Sequence, residues 1–312
     1  MKAVFLDRGS FPKHIQVQLP AQVTEVVEFD NTQAEDVIQR IAGAAIVLTN
    51  KVLITADTIK QTPSLQLIQV MATGTNNIDM PACEEQNVTV QNVTGYSTIS
   101  VPEHTFAMLL ALRRNLLSYI NDVKAGKWAT SEFFCFVDYP IKDLSGSTMT
   151  IIGAGSLGQK IADIAKAFGM QVIFAERKNA THVRAGYTAF ETALQKADVI
   201  SINCPLTNET ENLICDDEFA LLKPSALLLN ISRGGIVDEH ALVKALQNKR
   251  IAGAAFDVAT QEPMPLDHPL HTLAQYPNFL LTPHIAWASD EAMQTLVDIA
   301  MKKIAAFINN HE

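Results

Sequence analysis

Apolar positions along this chain fall in short runs separated by mixed, helix-like stretches. Runs of strand length lie at 3–6, 26–29, 45–48, 67–71 and 88–90, and segments with helical spacing lie between them at 32–42, 56–61 and 81–86. Short apolar strands alternating with helices predict a parallel sheet covered on both faces, because each parallel crossover lays a helix against the sheet. A second series starts at Ser147, with runs at 148–152, 171–175, 199–203, 226–231, 252–258 and 279–282; one helix in it stops at Lys223-Pro224.

Two further segments stand apart. Ser100 and Glu103 have capping-box spacing, with Pro102 in the first turn, where a missing N–H costs little. The stretch 106–112 behind them is apolar around its whole circumference. Such a helix needs cover on all sides, from its own chain or from a second copy. Near the other end, Ser289 is the expected N-cap of a helix with Met293, Leu296, Val297, Ala300 and Ile304 on one face. That helix is too short to be a domain and is expected to pack back on the amino-terminal part. The expected architecture is α/β, with two doubly wound parallel-sheet domains: a discontinuous one of 1–98 and 285–312, and a continuous one of 99–284. The chain would cross twice between them and leave a cleft, where ligand sites concentrate.

Composition agrees with two cores and narrows the partners. The 312 residues are 48% hydrophobic and 18% charged, as globular domains are. A net charge of -9 without any Lys/Arg run argues against nucleic acid, whose binding needs a positive surface to release counterions. The longest apolar stretch is too short to span a bilayer, and the amino terminus reads as a strand rather than a secretory signal, so a cytoplasmic location is expected. Cys83, Cys135, Cys204 and Cys215 form no CxxC pair and have no zinc spacing with histidine. They are expected to be reduced, mostly buried thiols, and no metal is expected.

The chemistry begins at Gly153-Ala-Gly155-Ser156-Leu157-Gly158, which directly follows the strand at 148–152. It opens a helix whose Leu157, Ile161, Ile164 and Phe168 share a face, with Gly169 as a stop. In this context Gly153 permits the tight turn, Gly155 lets a pyrophosphate approach the backbone, and Gly158 lets helix and strand pack closely. The helix N-terminus offers the phosphates free N–H groups and partial positive charge. Glu176, at the end of the next strand, can accept from both hydroxyls of an adenosine ribose and would repel a 2′-phosphate. That favours NAD, while Arg177 and Lys178 leave NADP open.

Three polar residues follow later strands: Arg233 in Asn230-Ile231-Ser232-Arg-Gly-Gly-Ile-Val-Asp238, Glu262 in Phe256-Asp257-Val-Ala-Thr-Gln-Glu-Pro263, and His284 in Leu281-Thr-Pro-His-Ile-Ala286-Trp287. Singly, each has an ordinary explanation as a solvated or structural side chain. Together, behind a dinucleotide turn and past the carboxyl ends of parallel strands, they form a chemical set. Hydride arriving at a carbonyl carbon leaves negative charge on oxygen, which a guanidinium stabilises. A proton must also arrive, a task suited to histidine, and a neighbouring carboxylate favours the imidazolium. A nicotinamide carries the redox chemistry, so no metal is required.

On these residues the chain resembles the D-isomer-specific 2-hydroxyacid dehydrogenases. The similarity also takes in Thr73-Gly74-Thr-Asn-Asn-Ile-Asp79, Val101-Pro-Glu-His-Thr105, and Cys204-Pro205-Leu-Thr207 with Thr210. Within the family it is most similar to the glycerate dehydrogenases, also called hydroxypyruvate reductases, through Phe134-Cys135, Ala175-Glu-Arg177 and Trp287. The resemblance implies a Rossmann-type NAD-binding domain and a flavodoxin-like substrate domain. It further implies that Arg233 holds the substrate carboxylate and polarises its 2-oxo group, that His284 is the acid–base, and that Glu262 pairs with it. By the same resemblance, backbone N–H groups at Thr73 and Gly74 bind the carboxylate and Asp257 holds the nicotinamide carboxamide. Cofactor contacts are implied at the glycine turn with Ser156 and Leu157, and at Thr105, Glu176, Arg177, Cys204, Pro205, Thr210, Ile231, Ser232 and Ala286.

The implied reaction interconverts D-glycerate and hydroxypyruvate, with glyoxylate also accepted, in a homodimer. The alternatives are another 2-oxo acid such as pyruvate, or an NAD-sensing module that binds a protein partner. His104 is expected to pack or hydrogen-bond, His268 and His271 to lie in a surface loop or at the site mouth, and Trp287 to shape the pocket or fill core. The chain departs from the family pattern in having Glu176 rather than the commoner Asp. No regulatory domain is expected after the last helix, unlike in the longer phosphoglycerate dehydrogenases, and Glu262 stands where formate dehydrogenases usually have Gln.

Overall fold

The first apolar runs form β1 (Lys2–Phe5), β2 (Glu25–Glu28), β3 (Ile46–Thr49), β4 (Leu67–Val70) and β5 (Thr89–Gln91), with α1 (Val37–Ile41), α2 (Ala56–Gln61) and α3 (Met80–Glu85) between them. This is a computed structural model describing residues 1–310. The strands pair in parallel in the order β2-β1-β3-β4-β5, the flavodoxin-like order. β3 and β4 are buried along their full length, as continuous apolar strands inside a parallel sheet must be, whereas β2 is an exposed edge. Thr55 and Asp79 start α2 and α3 by accepting from Thr58 N and Ala82 N. The segment 32–42, expected as one helix, is a 3-10 turn at Ala34–Asp36 followed by the single turn and a half of α1.

The second series is preceded by α4 (Ser100–Arg113) and α5 (Leu116–Lys124), and it runs β6 (Thr148–Ile152), α6 (Ser156–Ala167), β7 (Gln171–Ala175), β8 (Tyr187–Thr188), α7 (Phe190–Lys196), β9 (Val199–Ile202), α8 (Asp216–Leu221), β10 (Leu227–Asn230), α9 (Glu239–Gln247), β11 (Gly253–Phe256) and β12 (Phe279–Leu281). The sheet order is β12-β11-β10-β9-β6-β7-β8, with each paired strand parallel to its neighbour. Between β6 and β9 the direction of winding reverses. That is the doubly wound dinucleotide-binding topology, and ligands bind such sheets outside the strand carboxyl ends at the reversal.

By contacts the chain divides into two units, Met1–Ser97 with the segment from Ala288 onward, and Thr98–Trp287. The last helix, α10 (Asp290–Asn309), belongs to the first unit; Ser289 Oγ accepts from Ala292 N, and Met293, Leu296, Val297, Ala300 and Ile304 are buried.

Several local expectations need correction. Ser100 is not a cap: the helix starts after Ile99, Glu103 N donates to Ile99 O, and the Ser100 hydroxyl donates to Ala286 O. The apolar segment 106–112 buries Phe106, Met108, Leu109 and Leu112, but Ala107 is exposed. Cys135 is exposed, Cys204 and Cys215 are half-buried, and only Cys83 is fully buried. All four are free thiols. His268 is buried rather than on a surface loop, because its ring bonds to Glu239 and Thr260.

Candidate active site

The glycine turn sits where β6 ends. A side chain at Gly153 would collide with the Asn203–Cys204 backbone at 2.6 to 2.7 Å, and one at Gly158 with Gly153 O at 2.1 Å, so both positions exclude a Cβ. At Gly155 a Cβ would meet open space. Gly155 is the N-cap of α6 and offers no side-chain acceptor to its first turn. The turn therefore presents bare backbone and helix N–H groups to whatever lies above it, and the pyrophosphate of a dinucleotide fits that cradle. Cys204 and Pro205 leave β9 beside the turn, and Thr210 braces this exit by donating to Pro205 O and accepting from Thr207 N, each at 2.7 Å. Burial pushes the Cys204 thiol up to about 11, so it is not a thiolate nucleophile near neutrality.

Arg233, Glu262 and His284 follow β10, β11 and β12, which are adjacent in the sheet. Their residues therefore emerge on one edge, with β10 and β12 roughly 10 Å apart. Asn230, fully buried at the end of β10, shapes the first loop: its Oδ1 accepts from Ser232 N and Oγ, and its Nδ2 donates to Arg233 O. One guanidinium N–H of Arg233 donates to Ser232 O at 2.7 Å. Gly234 brings this loop against the next, since a Cβ there would lie 2.0 Å from Ala259 O. Ala259 N in turn donates to Glu262 Oε1 at 3.1 Å.

The His284 Nδ1 and Glu262 Oε2 atoms lie 2.6 Å apart. The hydrogen bond fixes the ring, and with Nδ1 donating, Nε2 is left to face a substrate. His284 has a left-handed backbone, φ 54°. Its loop is held from below by Asp257, only 1% exposed, whose Oδ1 accepts from Thr282 Oγ1 (2.6 Å) and Ile285 N (2.9 Å) and whose Oδ2 accepts from Ala286 N (2.8 Å). His104 Nε2 reaches Thr282 Oγ1 at 3.0 Å, and Trp287 Nε1 donates to His284 O at 3.0 Å while its ring packs on the core under α4. Asp257 thus holds the histidine loop, with two donors on Oδ1 and one on Oδ2.

Two other expected cofactor contacts have partners within the protein. Thr105 is fully buried and its hydroxyl donates to Val101 O in its own helix. Glu176, 3% exposed, is held by Arg184 in a bidentate pair. Thr73 and Gly74 belong to the first unit, in the turn after β4, where Thr73 Oγ1 donates to Val93 O. Sequence reading missed Asn230, Thr282 and Arg184, and also the buried knot in which Glu239 accepts from Thr260 N and Oγ1 and pairs with His268 at 3.0 Å. Among the described residues, no group of three or more His, Cys, Asp and Glu side chains gathers as a metal site.

A doubly wound sheet with a phosphate-binding turn at its reversal and a histidine–carboxylate pair on the same edge defines a nucleotide-dependent oxidoreductase. The family model described as the D-isomer specific 2-hydroxyacid dehydrogenase NAD binding domain matches residues 106–286. A glycerate dehydrogenase of Methylorubrum extorquens is 43% identical over 98% of this chain and 96% of its own length. A hydroxypyruvate reductase of Blautia hydrogenotrophica is 35% identical over 91% of this chain and 89% of its own. Among solved structures, the D-lactate dehydrogenase of Aquifex aeolicus complexed with NAD and lactic acid superposes with a TM-score of 0.80 at 25% identity, covering 99% of this chain and 96% of that one. The chain belongs to the D-isomer specific 2-hydroxyacid dehydrogenase family, and the matched part is that family's NAD-binding domain.

Proposed function

We propose that this enzyme reduces small 2-oxo acids to D-2-hydroxy acids, hydroxypyruvate to D-glycerate first among them, and accepts glyoxylate as well. The observation that carries the reading is the 2.6 Å pair of His284 Nδ1 with Glu262, on the edge of the sheet that bears the glycine turn. The glycerate dehydrogenase and hydroxypyruvate reductase relatives support the choice of substrate.

A bound nicotinamide dinucleotide supplies the hydride, and the remaining work falls to the chain. The carbonyl carbon gains two electrons and a hydrogen, and its oxygen gains a proton. Arg233 holds the carboxylate and draws charge toward the developing alkoxide. His284 delivers the proton from Nε2, while Glu262 keeps Nδ1 protonated and the ring aimed. Asp257 holds the backbone of Ile285 and Ala286 and so keeps the acid in place. In the oxidative direction the same histidine removes the proton.

Absorbance of the reduced cofactor over a panel of hydroxypyruvate, glyoxylate, pyruvate and a bulkier 2-oxo acid tests the reading. Hydroxypyruvate should give the highest kcat/KM, and pyruvate ahead by about tenfold would overturn the substrate. No turnover on any acid, with a stoichiometric protein partner in a pull-down, would favour an NAD-sensing role instead. We further propose a cytoplasmic homodimer. Free thiols suit a reducing compartment. Leu116, Leu117, Ile120 and Val123 of α5 are exposed, as are Trp128, Phe133 and Phe134 after it, and apolar surface of that extent marks an interface. Light scattering should report twice the mass of one chain.

A further inference from the structure

The adenosine end of the dinucleotide site does not fit the ribose it was expected to hold. Residues Ile152 and Ala175 are register partners across β6 and β7, so Gly153 and Glu176 leave the sheet side by side. Glu176 is therefore placed for an adenosine ribose. Its acceptors, however, are already taken. Oε1 receives Arg177 N at 2.9 Å and an Arg184 guanidinium N–H at 2.7 Å; Oε2 receives Arg184 N at 3.1 Å and Arg184 Nε at 2.7 Å. Each oxygen thus carries two donors, the usual capacity of a carboxylate oxygen. With Arg184 against it, the Glu176 carboxyl is pushed down to about 2, and it remains ionised at any working pH. Its charge is matched by that of Arg184.

What faces outward here is the arginine. The Arg184 side chain is 51% exposed against 3% for that of Glu176. Its guanidinium lies 3.9 Å from the centroid of the Tyr187 ring, which holds the fork flat. Arg177 is exposed beside it, whereas Lys178 is drawn away to Glu218 at 2.7 Å. A ribose arriving at this strand end meets a fixed, planar cation before it meets a carboxylate. Its Nε and one Nη2 N–H are spent on Glu176, and the Nη1 N–H groups at the outer end of the guanidinium remain to donate to the oxygens of a phosphate.

We propose that Arg184 is the residue that sets dinucleotide preference in this chain, covering Glu176 and binding a 2′-phosphate, so that NADP(H) is bound more tightly than NAD(H). The inference rests on the reading of the Thr98–Trp287 unit as the dinucleotide site, not on the identity of the oxo acid. Arg184→Gln should expose the Glu176 carboxylate, which then accepts from the ribose diol and repels a 2′-phosphate.

Calorimetric titration of the full chain, without any oxo acid, tests this directly. The wild type should bind NADPH about tenfold or more tightly than NADH, the scale of one charge-assisted hydrogen bond. It should likewise bind adenosine 2′,5′-bisphosphate more tightly than 5′-AMP, two probes that differ only in the 2′-phosphate. In Arg184→Gln the NADPH affinity should fall, the NADH affinity should rise, and Arg184→Lys should keep part of the preference. Equal binding of the two adenosine probes by the wild type overturns the inference, and so does a parallel change of both dinucleotides in Arg184→Gln. Should the glutamine variant fail to fold, the wild-type comparison of the two probes decides alone. Loss of all four ligands in the wild type would instead strike at the dinucleotide site itself, and a failed oxo-acid panel leaves these affinities untouched.

Discussion

His284 and Glu262 pair at 2.6 Å through Nδ1 and Oε2, past the ends of β12 and β11. A proton donor held by a carboxylate is what carbonyl reduction requires, and that chemistry is carried by residue type and by place after a strand, both legible in sequence. His284→Ala should lower kcat by about a thousandfold while the Kd for reduced dinucleotide changes little, since general acid catalysis is worth that much and the ring is not needed for the phosphate turn. Stopped-flow turnover beside equilibrium binding checks both halves, and loss of dinucleotide binding would make His284 structural. Glu262→Gln keeps the shape but replaces the carboxylate that His284 Nδ1 pairs with at 2.6 Å by a neutral amide, a weaker acceptor. The kcat of reduction should fall by about tenfold or more while the Kd for reduced dinucleotide is unchanged, and an unchanged kcat would separate Glu262 from the proton transfer. Glu176 is less legible. Its type and place suggested a ribose acceptor, yet Arg184, eight positions further along an irregular loop, takes both of its oxygens. Nothing in spacing or composition could reveal that, because the loop returns to the strand end only in three dimensions.

At the scale of elements, legibility followed burial. The apolar runs at 148–152 and 171–175 became β6 and β7 with the same bounds, because strands buried in a parallel sheet need unbroken apolar sequence. The two residues of β8 carry no such signal, being held by their pairing with Phe174 and Ala175 alone. Helix starts were less secure. Ser289 caps α10 as its type suggests, whereas Ser100 turns its hydroxyl to a distant carbonyl and leaves the start of α4 to the residue before it. Gly234 ties two catalytic loops together, and a methyl group there cannot be accommodated without moving the Ala259 backbone. Gly234→Ala should cost about 3 kcal/mol in urea unfolding, the upper range for overpacking, and should depress kcat/KM more than Kd for the dinucleotide. A variant of wild-type stability would mean that the loops are free to part.

For the molecule as a whole, the pH dependence of stability gives a check on the Glu176–Arg184 pair. The carboxyl is lowered from an ordinary 4.5 to about 2 in the folded state by the Arg184 hydrogen bonds first of all, then by backbone N–H groups. A lowered folded value means that its contribution is complete above about pH 4.5 and is lost as pH falls toward about 2. The stability difference between wild type and Glu176→Gln should be flat above that window and shrink within it. The outer strands carry a separate consequence, for solubility. Each sheet closes on short strands: β2 has 4 residues, β5 has 3, β8 has 2 and β12 has 3. β2, the longest, turns Glu25 and Glu28 outward. Brief or acidic margins give a neighbouring polypeptide little to pair with, so this fold resists growing into fibres by the same design that leaves its edges bare.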